Sequence, residues 1–290
     1  MFGPIIAAFA YASGLLLDKF TLSYQKVGHR QFIIILFLFL FLLSLILYPF
    51  LGKTELLAFT PKYLFILGLI IALASIYNVL FYHGIEKEKI AEVELIVMLT
   101  PLSTIIIASI FLQTERNWSV FLAGIVASLA LFISHLNHHH LKFTIFQKEL
   151  LLYILLYPIE AILIKNLLYL YSPLSMYLFR TLGVFIVLSI WFLLIAPRVA
   201  GDKHVNFSKW KLKNYALTLL ISGIAVAQMV LIYYGYRNVG VIFTTLILTL
   251  APILTYLGCA VILKERPKKR ILAAALVILA CIIYAQLSLR

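Results

Sequence analysis

Charge is what this chain has least of. Charged residues are 12% of its 290 residues and hydrophobic ones 64%, whereas a soluble globular chain is nearer half apolar and a quarter charged. That excludes a water-soluble domain and a disordered chain. Cysteine is almost missing as well. Cys259 and Cys281 lie inside apolar runs with no CxxC or Cys/His spacing, so a disulfide scaffold is excluded and both read as small buried hydrophobes. There is no GxxxxGK[ST] loop to hold a nucleotide phosphate, and no GxSxG or HExxH to support hydrolysis, so neither an ATP motor nor an enzyme is expected. The opening Met1-Phe2-Gly3-Pro4-Ile5 has no basic segment before its apolar run, so that run is expected to stay in the membrane as a helix.

Long apolar runs are abundant. Mean hydropathy is +1.06. A membrane-crossing helix needs about 20 mostly apolar residues, and ten such runs are present: 2–22, 30–50, 62–83, 90–112, 118–136, 148–170, 174–196, 212–235, 239–263 and 269–288. They are continuous rather than alternating and about twice as long as a spanning strand, which favours helices over a barrel. The fold expected is an all-α polytopic membrane protein with ten transmembrane helices, placed in the cell membrane. The longest break, Pro197 to Lys211, holds Trp210 and is expected to lie along the membrane surface. Lys and Arg number 24 against 11 Asp and Glu, a net charge of +13. In such a chain the excess marks cytoplasmic loops rather than a nucleic-acid surface. Seventeen of the 24 fall in breaks after odd-numbered spans and five at the termini and even breaks, which places both termini outside the cytoplasm.

The two halves repeat each other. Val79-Leu80-Phe81-Tyr82-His83-Gly84 matches Val230-Leu231-Ile232-Tyr233-Tyr234-Gly235 at an offset of 151, and the same offset sets Pro101 on Pro252. Glu115-Arg116 falls on Glu265-Arg266 at 150, and Tyr11 and Lys19 fall on Tyr157 and Lys165 at 146. Each half then has five spans. Five is odd, so the second half enters the membrane with the opposite orientation. The expected organisation is a first repeat over 1–137, a connection over 138–147 and a second repeat over 148–290. Inverted repeats of this kind enclose substrate sites near the bilayer midplane in secondary transporters.

Two stretches carry a family resemblance: Leu99-Thr100-Pro101-Leu102 running to Thr114-Glu115-Arg116, and Leu250-Ala251-Pro252-Ile253 running to Lys264-Glu265-Arg266. With ten spans in two tandem units, the chain resembles the EamA branch of the drug/metabolite transporter superfamily. The resemblance implies a ten-helix carrier that exports or exchanges small metabolites or amino acids, without ATP hydrolysis or a cofactor. It also implies both termini in the cytoplasm, the reverse of the charge count.

Ionisable groups inside spans cost several kcal/mol and normally face a cavity or a partner. Glu160, near mid-span behind Tyr157 and Pro158, is the first candidate for proton coupling or cation recognition, unless it neutralises Lys165 or Arg180. Lys165 repeats Lys19, and Arg180 could bind a substrate carboxylate or phosphate with its paired donors. Glu92 and Glu94 open the fourth span; Glu94 shares a face with Pro101, which frees the Val97 carbonyl and bends the helix. Pro252 is its mate. Tyr77 and Gln228 occupy matching positions, with Asn78 adjacent, and are expected to line a central cavity. Asp18 and Lys19 end the first span and could simply snorkel to the interface. His138-His139-His140 reads as a solvated linker, and no metal site is expected.

A secondary carrier for a small polar or amphipathic metabolite follows, working by alternating access as a monomer or homodimer, with a proton or ion as coupling partner. The alternative is a lipid or polyprenyl-phosphate flippase, favoured by the 21 Phe and 17 Tyr. A membrane scaffold is disfavoured because no soluble domain remains to deliver a signal.

Overall fold

The computed structural model describes residues 2–24, 28–87, 93, 96–135, 145–195, 210–255 and 269–288. Glu92, Glu94, His138-His139-His140, Cys259, Glu265 and Arg266 lie outside the described residues, as does the side chain of Lys19. The helices are α1 (Phe2–Lys19), α2 (His29–Leu51), α3 (Pro61–Lys87), α4 (Thr100–Phe111), α5 (Trp118–His135), α6 (Ile145–Leu167), α7 (Pro173–Ile190), α8 (Leu212–Val239), α9 (Val241–Leu248) and α10 (Lys269–Ser288). Among the described residues there is no strand, only one antiparallel bridge between Thr54 and Tyr171. Seven stretches are long and apolar enough to cross a membrane, and three shorter apolar helices, Thr100–Phe111, Trp118–Ser134 and Val241–Thr255, fall within the other three expected spans. The protein is an all-helical, multi-pass membrane protein.

Sequence explains the helix ends. Ser172 caps α7 by accepting a hydrogen bond from the Ser175 backbone N–H at 3.3 Å, with Pro173 next in the first turn, where its missing donor costs nothing. A buried hydroxyl in hydrocarbon is stabilised by a hydrogen bond within the protein. Ser75, Thr104, Thr181, Thr218, Ser222 and Thr255 each donate to the carbonyl four residues back in their own helix. The fourth and ninth spans each carry a local irregularity, while the backbone dihedrals there stay helical. A turn at Met98-Leu99 precedes α4, and a turn at Thr249 follows α9. These turns occupy matching positions at the 151 offset, and each comes two or three residues before its proline.

Packing crosses between the halves. α1 lies along α8, α3 along α6, α2 against α7, α5 against α10, and α4 meets α9. The crossed pairs approach through glycine. A Cβ at Gly84 of α3 would stand 2.8 Å from the Leu150 side chain of α6. One at Gly235 of α8 would stand 2.9 Å from Pro4 of α1. Gly84 and Gly235 match at 151, and Pro4 and Leu150 match at 146. One close contact therefore occurs twice, with repeats exchanged. Side chains facing away from these contacts, such as Phe65, Ile76, Leu276 and Ile283, are large, apolar and exposed, as a lipid-facing surface requires.

Polar pairs sort the helix ends into two groups. At one end Lys53 and Glu55 bond the 170–175 turn, and Glu115 meets the start of α9. At the other, His29 pairs with Glu86, His83 with Glu149 at 2.9 Å, and Trp210 donates to Gln31. In a Cys259→Ser/Cys281→Ser background, cysteines at Leu56 and Lys213 should react with an impermeant maleimide from opposite membrane faces, Lys213→Cys only from the cytoplasmic one. Labelling of both from one face would contradict the antiparallel arrangement.

Candidate substrate cavity and its buried charge network

The middle of the bundle holds a cavity of about 180 Å³ lined by α1, α2, α3, α4, α6, α7, α8 and α9, together with Pro252 beyond the Thr249 turn. Nine of its 28 lining residues are aromatic, seven of them tyrosines. Tyr77 packs edge-on against Tyr153 and Tyr157, with ring centroids 5.5 and 5.8 Å away. Phe81 lies 4.9 Å from Tyr153. Polar groups interrupt that wall: Asp18, Asn78, Thr100, Thr104, Arg180, Gln228 and Thr245. Asn78 spends one amide N–H on the Ala74 carbonyl at 2.8 Å.

Three helices close a charge network at the cavity edge. Arg180 of α7 donates from Nε to Glu160 Oε1 of α6 at 2.6 Å. Tyr77 of α3 donates from Oη to Glu160 Oε2 at 2.5 Å and accepts from the Arg180 guanidinium. Arg180 also lies over the Tyr77 and Tyr177 rings, 5.9 and 6.0 Å from their centroids. Glu160 is 1% exposed and Arg180 3%. A charge this deep persists only with an opposite charge and hydrogen bonds on its remaining sites, and the triangle supplies both. The kink beside it is satisfied too. Pro158 removes the hydrogen bond that would reach back to the Ile154 carbonyl, and Ser103 Oγ of α4 donates there instead at 2.9 Å.

A second network stands at the membrane end of the cavity. Glu115 accepts from the Val241 backbone N–H at 2.6 Å and the Ile242 N–H at 3.3 Å. The carboxylate thereby meets the unpaired donors and positive dipole end of α9. Lys165 lies 3.3 Å from Glu115 and donates to the Tyr236 carbonyl. Gly240, at φ +88°, leaves room for this, because a Cβ there would come within 2.6 Å of the Glu115 carboxylate.

Against known families, the EamA-like transporter family model matches residues 1–136 and 150–285. The chain belongs to the EamA-like transporter family. It is therefore a membrane transporter of the drug/metabolite type, and family members are not enzymes. A solved crystal structure shares the fold with a TM-score of 0.72 over 99% of this chain and 96% of the other, at 15% identity; a likeness that distant shows fold alone. No curated protein is similar enough in sequence to serve as a relative.

Within this EamA-like carrier, the residues singled out from sequence divide into three groups. Tyr11, Tyr77, Asn78, Pro101, Tyr157, Arg180, Gln228 and Pro252 all line the cavity. Glu160 stands behind it as the counter-ion of Arg180, and Lys165 belongs to the Glu115 cluster at one end. Glu92 and Glu94 lie outside the described residues. Asp18, which from its place at the end of a span could equally snorkel to the interface and was not among the chosen site residues, lines the cavity. A signal existed: Tyr11, Gly14, Leu15 and Asp18 are spaced i, i+3, i+4 and i+7, one face of one helix. Glu160→Gln and Arg180→Gln should each lower stability by about 3 kcal/mol, the cost of stranding one member of a buried pair. The double variant should lose less than the sum of the two. Reversible unfolding in mixed micelles checks this, and strictly additive losses would contradict the pairing.

Proposed function

We propose that this chain is a secondary carrier that exports or exchanges a small metabolite by alternating access. Its substrate would sit in the central cavity, between two inverted five-helix repeats spanning 1–137 and 148–290. The observation that carries this reading is the cavity itself. Its lining comes from both repeats and includes Pro101 and Pro252, at matching positions next to the two turns. In carriers built from inverted repeats the substrate site lies at the repeat interface, near the bilayer midplane. The crossed packing of α1 on α8 and α3 on α6 supports the inverted relation, because each half closes against the other through the same contact.

Two similar halves of opposite orientation can trade conformations at low cost in free energy. The trade carries the cavity's opening from one leaflet to the other. The Glu115–Lys165–α9 contact is suited to hold one end shut, since it ties α4 and α6 to the junction of α8 and α9 through charge-assisted bonds alone. A flippase reading uses the same fold but calls for a lipid-facing, Phe-lined opening. The polar lining of Asn78, Gln228 and three threonines favours a small polar or amphipathic solute instead.

Gly14 offers a direct test. A Cβ there would meet Gln228 Oε1 at 3.7 Å and Ile224 at 4.0 Å, ordinary contact distances, while a longer side chain projects into the cavity. Gly14→Leu should fold and yet reduce substrate counterflow in proteoliposomes at least tenfold. Wild-type counterflow in that variant would show that the cavity is not the route.

A further inference from the structure

Charge bookkeeping in the cavity leaves one group over. Arg180 has its positive charge matched by Glu160 at 2.6 Å, and two of its donor nitrogens are engaged by Glu160 and Tyr77. Asp18 is the only acid among the described lining residues. It is 8% exposed, and its one hydrogen bond is a long one, 3.5 Å from the Tyr82 hydroxyl to Oδ2. Its other oxygen, Oδ1, is buried with no partner among the described residues. A native structure rarely buries a carboxylate oxygen without a hydrogen-bond partner, and the exceptions point to an absent partner or a function.

The repeat shows that this is a local departure rather than a shared feature of the fold. At the 146 offset Asp18 falls on Ile164 and Glu160 falls on Gly14. The second half carries an acid where an arginine meets it. The first half carries one a turn further along, where none of the described residues meets it with a positive charge. Gly14, one turn before Asp18, lines the same space. Tyr11, Phe37, Phe81, Tyr153, Tyr157 and Tyr177 surround that space. Aromatic faces are negative and attract cations, while their area suits an apolar body.

We infer that the cavity takes a monovalent organic cation, an amine with an apolar or aromatic body, whose ammonium group binds the Asp18 carboxylate. This rests on the carrier reading and names its substrate class. The ammonium pairs with the carboxylate of this lining residue and supplies the charge that Arg180 cannot. The body lies against the tyrosine rings, and Gln228 and Asn78 remain for neutral polar substituents. A zwitterion gains less, because Glu160 already matches the guanidinium that would receive its carboxylate.

The test compares four probes that share one aryl-ethyl body: phenethylamine, phenylethanol, hydrocinnamate and phenylalanine. Binding is measured by calorimetry to the full-length protein in nanodiscs. Phenethylamine should bind at least tenfold more tightly than the other three. Asp18→Asn should remove that preference without weakening phenylethanol, and Asp18→Glu should keep it. The wild-type probe series stands even where a variant fails to fold. Equal affinity for amine and alcohol, tighter binding of the anion or the zwitterion, or no binding of any probe overturns the inference. Proteoliposome counterflow separates the two readings. Amine-selective binding without amine counterflow would retain the cation site and sink the carrier. Counterflow of a non-cationic metabolite, unchanged in Asp18→Asn, would retain the carrier and sink the cation site.

Discussion

Arg180 and Glu160 stand 2.6 Å apart in the middle of a bundle whose surroundings are almost wholly apolar. Neither could remain there alone, since an isolated charge in a low-dielectric interior costs far more than any single packing contact returns. The pair thus fixes the relation of α6 to α7, and Tyr77 adds α3 through both of its hydroxyl bonds. Three helices from two halves are held in register by a few polar atoms. The hydrophobic effect adds little to this in a membrane, because lipid tails are as apolar as leucine side chains, so close packing and these polar bonds share the task. The kink at Pro158 presents Glu160 to its partners, and Ser103 makes that kink affordable by bonding the freed carbonyl.

The cavity lies where the second copy of that network is missing. On the α3–α6 side, Tyr77 and Glu160 fill the space between helices. On the α1–α8 side, the matching positions are Gln228 and Gly14, and a Cβ on that glycine would stand 3.7 Å from the Gln228 side chain. The duplicated framework supplies two equivalent positions, and the sequence differences decide which is filled and which is open. The turns at Met98-Leu99 and Thr249 lie beside the cavity. Close contacts of Gly84 with Leu150 and of Gly235 with Pro4 keep the crossed helix pairs together around this space.

Much of this was legible from residues alone, and the reason is the bilayer. Continuous apolar runs about 20 residues long have few interpretations, so the helical class and span positions follow from composition and length. The proposed repeat rests on residues with fixed backbone consequences, Gly84 and Gly235, Pro101 and Pro252. Eight of the residues chosen from sequence line the cavity, among them two matched polar pairs, Tyr11 with Tyr157 and Tyr77 with Gln228, and the matched prolines Pro101 and Pro252. Partner choice was not legible. Glu160 had Lys165 and Arg180 as available cations, and helix rotation alone decides between them. Lys165 instead meets Glu115, fifty residues away in sequence, because both reach the membrane end where α9 begins. Asp18 was hidden by its place near the end of a span, where a charge ordinarily reaches water.

An ion-paired wall and a carboxylate that none of the described cations meets, in one cavity, make sense for a chain that must bind a solute briefly and then release it to the other side. The central claim is that both faces reach this one cavity. Gln228 lines it opposite Tyr77 and lies away from both end clusters. A single cysteine at Gln228, in a Cys259→Ser/Cys281→Ser background, can be treated with an impermeant thiol reagent from one face at a time, in right-side-out and in inverted vesicles. The account predicts labelling from each face. Reaction from one face only, or from neither, would contradict it.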